Sequence, residues 1–263
     1  MERVIITGNT LTLEEIKLVC RDYCQVELSK EAVDRIMASR KIVDEFVENE
    51  EVIYGITTGF GKFSDVSISK EESRLLQKNL IVTHAVGAGK PFETEVVRGI
   101  ILLRINNLAK GYSGARIETI ETMINMLNKR VHPIVPQKGS LGSSGDLAPL
   151  SHMVLPMIGL GMAEYMGEVM PGEDAMKKSG IPVIELTSKE GLALINGTQV
   201  MTAVGALTVY DALNLLKVSD IAAALSFEAH NGVVDALDHK VHEVRPRKGQ
   251  IDTARILLQL LKE

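Results

Sequence analysis

The sequence has little cysteine, no basic cluster and no repeat, and each absence narrows its function. Cys20 and Cys24 are the only cysteines in 263 residues. They lie four apart in a helical pattern, so they are read as reduced thiols rather than a disulfide framework. The opening MERVIITGNT carries an early acid and lacks a basic stretch followed by an apolar one, so no signal peptide is expected and a cytoplasmic location is. Lys and Arg number 29 against 34 Asp and Glu, for a formal net charge of -5, and they are scattered. That distribution argues against a nucleic-acid footprint and leaves the charge runs as solvated helix faces. No internal repeat or low-complexity linker breaks the chain. His239 and His242, three apart, are read as a surface pair, and no metal is expected. What is plentiful is apolar: 45% of residues are hydrophobic, enough for one large or two modest cores.

The apolar residues repeat mostly at helical spacing. Thr12 to Glu15 and Ser69 to Glu72 each fit a capping box ahead of such a segment. A helix after Ser29 presents Val33, Ile36, Met37, Ile42, Val43 and Phe46 on roughly one face, and two more are expected at about 93–110 and 115–129. Residues 163–170, AEYMGEVM, alternate about Gly167 like a small hairpin, and strand content is otherwise expected to be slight. A helix with two internal prolines, Pro149 and Pro156, precedes it. Apolar helical patterns fill 198–229, and an amphipathic helix closes the sequence at about 250–262. The uncharged run 191–210 is long enough to span a membrane, but Asn196, Gly197, Thr198 and Gln199 interrupt it. It is therefore read as a core helix, apolar all round, that other helices must surround. The expected architecture is mainly α, with an N-terminal helical domain over 1–190 carrying the functional loops and the start of a long bundle over 191–263.

Two irregular stretches stand out, YGITTGFG at 54–61 and GSLGSSGDLAPLSH at 139–152. The first resembles a phosphate-binding loop only loosely, because five residues rather than four separate Gly55 from Gly61, and Phe63 stands where Ser or Thr would bind Mg²⁺. In the second, no G-x-S-x-G surrounds Ser143 or Ser144, so a nucleophile elbow is unsupported. Gly-Ser-Ser-Gly composition alone would suit a flexible linker, but here it runs straight into LAPLSHMVLPMIGLG, which is too apolar to follow a solvated segment. Glycine at 145 allows the backbone to curl back. Attack of the Gly145 nitrogen on the Ser143 carbonyl carbon with loss of water, then elimination of the Ser144 hydroxyl, gives an imidazolone with an exocyclic methylidene. Two waters are lost, and the product is an electrophile. Asp146 suits a helix N-cap just beyond it.

GSLGSSGDLAPLSH resembles the signature of the aromatic amino acid ammonia-lyases, which build 4-methylidene-imidazol-5-one (MIO) from such a triad. The resemblance extends through YGITTGFG, LQKNLIVTHAVGAG at 76–89, EGLALINGTQ at 190–199 and VRPRKGQ at 244–250, nearly the whole chain. The family usually has Ala where Ser143 stands, and that side chain takes no part in ring closure. The resemblance implies MIO formed from Ser143, Ser144 and Gly145 beside Asp146, with Ser144 supplying the methylidene carbon. It implies Tyr54 as the base that takes the substrate's β-proton, and Asn196 as a contact to the substrate or the MIO carbonyl. Gly61, Thr83 and His84 are implied to bind substrate. At the positions of Thr83 and His84, histidine lyases resemble Ser-His, tyrosine lyases His-Leu and phenylalanine lyases Phe-Leu. Thr83-His84 is closest to the first, which favours L-histidine as substrate, with urocanate and ammonia as products.

Tyrosine or phenylalanine elimination, aminomutation, and a noncatalytic structural subunit remain as alternatives. Members of the family are about twice this length, so the resemblance covers an N-terminal half. The implied partners are the amino acid substrate, the C-terminal half and further subunits in a homo- or hetero-oligomer, with neither nucleic acid nor membrane.

Overall fold

The structure is a computed structural model that describes residues 3–53, 55–58, 70–141 and 145–262, with Lys70 and Glu71 described in backbone only. It divides into two compact units, Met1–Leu207 and Thr208–Glu263.

The first unit opens with a parallel pair, β1 (Arg3–Ile6) and β2 (Gln25–Leu28), joined through α1 (Leu13–Cys20), with Val4 opposite Val26. Thr12 and Glu15 form the expected capping box on α1. Next comes α2 (Lys30–Glu48), whose Ser29 Oγ accepts from the Ala32 N–H at 3.1 Å. The Ser69 cap lies outside the described residues, but the helix it was expected to open is present as α3 (Lys70–His84). β3 (Ala88–Pro91), α4 (Thr94–Leu108) and α5 (Ile117–Lys129) follow. Asn128 on α5 accepts the Val26 N–H at 2.9 Å and donates to the Val26 carbonyl at 3.0 Å, so a side-chain amide stands where a further strand would pair with β2.

β4 (Val131–Pro133) and β5 (Pro136–Lys138) lead to α6 (Leu147–Val154). β5 pairs antiparallel with β3. The two prolines do not sit inside one helix. Pro149 falls in the first turn of α6, where its missing N–H would have no helical acceptor, and Pro156 lies in a separate 3-10 turn, Leu155–Ile158. The expected hairpin is β6 (Met162–Tyr165) with β7 (Glu168–Pro171), which β4 extends to three antiparallel strands. α7 (Gly172–Lys178), α8 (Glu190–Ile195) and α9 (Gln199–Ala229) complete the series, and the division between units falls within α9. The fold is mainly α, with more short strands than the sequence pattern suggests.

α4 runs through the core of the first unit. Ile100, Ile101, Leu102 and Ile105 are fully buried, as are its two arginines, Arg98 and Arg104. In the second unit α10 (His239–Glu243) packs with α11 (Lys248–Leu260). His242 is buried there, with Gln250 Nε2 donating to its Nδ1 at 3.0 Å, whereas His239 is exposed beside Asp238. They are therefore not the surface pair that the sequence suggested.

Candidate active site

Three helices that carry or adjoin the sequence-predicted site residues, α3, α6 and α8, pack pairwise against one another. α3 ends in Thr83 and His84, α6 follows Gly145 and Asp146, and α8 ends at Asn196. Tyr54, Gly61, Ser143 and Ser144 lie outside the described residues.

Gly145 has φ +87°, and a Cβ built on it would meet nothing within 4 Å. Crowding therefore does not explain a glycine there; the left-handed backbone does. The Ser-Ser-Gly composition and this glycine's conformation fit the closure chemistry read from the sequence.

Asp146 occupies the N-cap position of α6 but makes no side-chain cap there. Its buried carboxylate reaches across to α9, where Oδ2 accepts the N–H of Val200 at 2.9 Å and of Met201 at 3.2 Å. The capping expected of Asp146 is thus given to a different helix. This ties the Gly145 end of the loop to the start of α9, three residues past Asn196.

Asn196 is the C-cap of α8. Its side chain is exposed rather than buried, and Nδ2 donates to the Leu192 carbonyl at 3.3 Å. Its own carbonyl accepts from Arg104 Nη2 at 2.8 Å. Thr83 is exposed, and its hydroxyl donates to the Asn79 carbonyl at 2.7 Å, within its own helix. His84 is half-buried, with Nδ1 at 2.8 Å from the Leu80 carbonyl. A carbonyl only accepts, so Nδ1 carries the proton and Nε2 of the neutral ring keeps its lone pair.

Three further residues that the sequence did not single out organise these elements. His152 on α6 accepts the Gly87 N–H on Nε2 at 2.9 Å, fixing the exit from α3. Burial pushes the His152 pKa below 6.5, which favours the neutral, accepting ring. Glu190 has no exposed surface and anchors the start of α8. It accepts from Arg116 Nη2 at 2.8 Å and from the Thr187 N–H at 2.9 Å, and it also takes the Thr119 hydroxyl. Arg104 is the third. A single charge in an apolar stretch gives no sequence signal that separates an anchor from a surface group; only the burial does.

An aromatic amino acid lyase description matches residues 11–263. The chain belongs to that family. It is 60% identical over 261 residues to a histidine ammonia-lyase of Alkaliphilus metalliredigens, covering 99% of this chain and 52% of that relative. Among solved structures, histidine ammonia-lyase from Trypanosoma cruzi superposes with a TM-score of 0.91 at 37% identity, covering 97% of this chain and 50% of the other. Tyrosine aminomutase from Streptomyces globisporus also superposes with a TM-score of 0.91, at 36% identity, covering 99% and 49%. The chain thus spans about half the length of the relatives it matches. Lyase and aminomutase share this fold to the same degree, so the fold alone does not choose between their reactions.

Proposed function

We propose that this chain is the electrophile-bearing half of a histidine ammonia-lyase and that, with the part of its relatives' length it does not span, it eliminates ammonia from L-histidine to give urocanate. The observation that carries the reading is the Asp146 bridge. One buried carboxylate fastens the loop of the Ser143-Ser144-Gly145 triad to the helix start beside Asn196, in a chain of this family.

MIO closed from the triad would supply an electrophilic carbon that turns the substrate amine into a leaving group. The chain's own groups do the rest. His84 Nε2, freed as an acceptor by the Nδ1 bond to Leu80, takes the imidazole N–H of the substrate. The exposed amide of Asn196 hydrogen-bonds to substrate or to the ring carbonyl, while its backbone is held from behind. Tyr54 takes the β-proton on its phenolic oxygen, which requires its ordinary pKa of roughly 10 to be lowered by neighbours or its proton to be passed on. Gly61 and Thr83 complete the substrate contacts assigned by resemblance. The Thr83-His84 pair favours histidine over tyrosine or phenylalanine. Exposed apolar residues along α9, from Met201 to Leu225, support assembly with a C-terminal half and with further subunits.

Intact mass and product analysis test this reading. The parent chain should weigh two waters less than its sequence, and Ser144→Ala should keep the fold without that loss. Mixed with the C-terminal half of the Alkaliphilus relative, the parent should release urocanate and Ser144→Ala should not. A parent that retains both waters, or a Ser144→Ala assembly that turns over histidine at the parent rate, sinks the proposal.

A further inference from the structure

Two helices meet end to end at Asn196-Gly197-Thr198, and the charges at that break are arranged by sign. The last turn of α8 presents carbonyls without helical partners, and the first turn of α9 presents N–H groups in the same condition. Arg104, 1% exposed, stands on the carbonyl side, donating from Nη1 to Ala193 O at 3.2 Å and from Nη2 to Asn196 O at 2.8 Å. Asp146 stands on the N–H side. Cation at a helix C-terminus and anion at a helix N-terminus is the favourable arrangement at both ends.

Gly197 lets this junction close. A Cβ there would lie 2.7 Å from Arg104 Nη2 and 2.1 Å from Gln199 Oε1, so any other residue would push the guanidinium or the amide away. The junction is also tightly closed: Arg104 Nε and Gln199 Oε1 are both buried and have no partner among the described residues, a cost that the rest of the junction must offset. Burial pushes the Arg104 pKa down to about 10, while the Asp146 charge opposes that fall, so the guanidinium remains charged at neutral pH.

We propose that Arg104 is a positioning residue of the elimination site: it fixes the Asn196 backbone against the Asp146-capped start of α9, and so sets where the Asn196 amide stands relative to the triad. The inference rests on the proposed elimination for its catalytic meaning, but the clamp itself can be read without turnover.

The same helix supplies a control. Arg98 on α4 is equally buried, yet it donates to Val19 O, Leu127 O and His132 Nε2, none of which is a site residue. Removing either cation should destabilise the fold, and only Arg104 should loosen the break. Arg104→Met, Arg104→Lys and Arg98→Met would be compared by amide exchange at Val200 and Met201, then by kcat and KM in the assembly with the C-terminal half. Arg104→Met should speed exchange at those two amides by roughly 10- to 100-fold beyond Arg98→Met, the scale of a lost hydrogen bond to a charged group. Its kcat should fall further than that of Arg98→Met, with KM nearly unchanged. Arg104→Lys keeps the charge but not the two-pronged geometry, so it should lie between parent and Met, and it decides the matter if Arg104→Met does not fold. Exchange at Val200 and Met201 no faster in the Arg104 variants than in Arg98→Met overturns the proposal, whether or not the parent cyclises. Faster exchange in a parent that never loses two waters upholds the clamp and sinks the elimination reading instead.

Discussion

α4 and α9 are both largely apolar without one clear polar face, and they differ in what covers them. On α4, Ile100, Ile101, Leu102 and Ile105 have no exposed surface, and the cover is so complete that two arginines are buried with them. On α9, Ala203 and Leu207 are buried within the first unit, but Leu213, Leu215, Leu216, Val218, Ile221 and Leu225 are exposed by 48–68%. An apolar pattern around a helix therefore states a demand for cover, not that this chain meets it. The same 190–229 stretch is long and apolar enough to cross a membrane by length and composition, yet the break at 196–198 and the burial of Leu194, Ile195 and Ala203 tie its first part into a protein core. On the proposed function, the part of the relatives that this chain does not span would cover the remainder.

The sharpest way to break that contrast is inside α4. Leu102→Ala removes a fully buried side chain and leaves a cavity, which should cost about 2–5 kcal/mol of unfolding free energy in a denaturant titration. A loss well under 1 kcal/mol would mean that the core around α4 collapses on the vacancy and is less well packed than its burial implies.

A smaller effect, dependent on pH, should mark the buried charges of the first unit. Burial alone would raise the Glu190 pKa, but the Arg116 hydrogen bonds and charge, with Thr119 and the Thr187 amide, hold it below 4.5. A carboxyl with a lowered folded pKa gives stability that is present above its unfolded pKa, about 4.5, and is lost as pH falls through the folded value. His132 and His152 act in the same direction at higher pH. Burial holds both below 6.5, so each must be protonated against its surroundings as acid is added. Glu190→Gln should therefore lower stability at pH 7 by about 1.5–3 kcal/mol and flatten the acid limb below pH 4.5, leaving in place the loss that the two histidines cause as pH falls below 6.5. Parallel acid limbs for parent and variant would show that Glu190 does not carry that dependence.

Local signals were legible in the sequence and long-range ones were not. The Thr12–Glu15 capping box, the hairpin about Gly167 and the extent of α9 follow from residues within a few positions of one another. β1 and β2 escaped because a four-residue strand leaves only two alternations to read, and their pairing spans a helix. Asp146 was recognised as a cap, but its acceptor role is filled 54 residues away, and no local rule identifies which helix a buried carboxylate will serve. Arg104 and Glu190 looked like ordinary charges for the same reason: their partners lie tens of residues off, and burial, which sets their importance, is a property of the packed chain. Tyr54 and Gly61 rest on the family resemblance alone, Ser143 and Ser144 on the chemistry of the triad together with it, and all four lie outside the described residues.

The smallest expected change is on the bare side of the comparison. Leu216 is 63% exposed on α9, so replacing it should remove little that the isolated chain has buried. Leu216→Ser should shift unfolding free energy by no more than about 0.5 kcal/mol, the usual scale for surface substitutions. Its effect should appear in association instead, because a large apolar side chain on a face awaiting cover contributes on the order of 1.5–3 kcal/mol only once it is buried. Sedimentation of the chain alone and titration with the C-terminal half would read that loss, which should be absent from an exposed polar position such as Lys240→Ser outside the apolar face. If Leu216→Ser instead destabilises the isolated chain as much as Leu102→Ala does, α9 is already covered in solution by another copy of the chain, and the contrast between the two helices disappears.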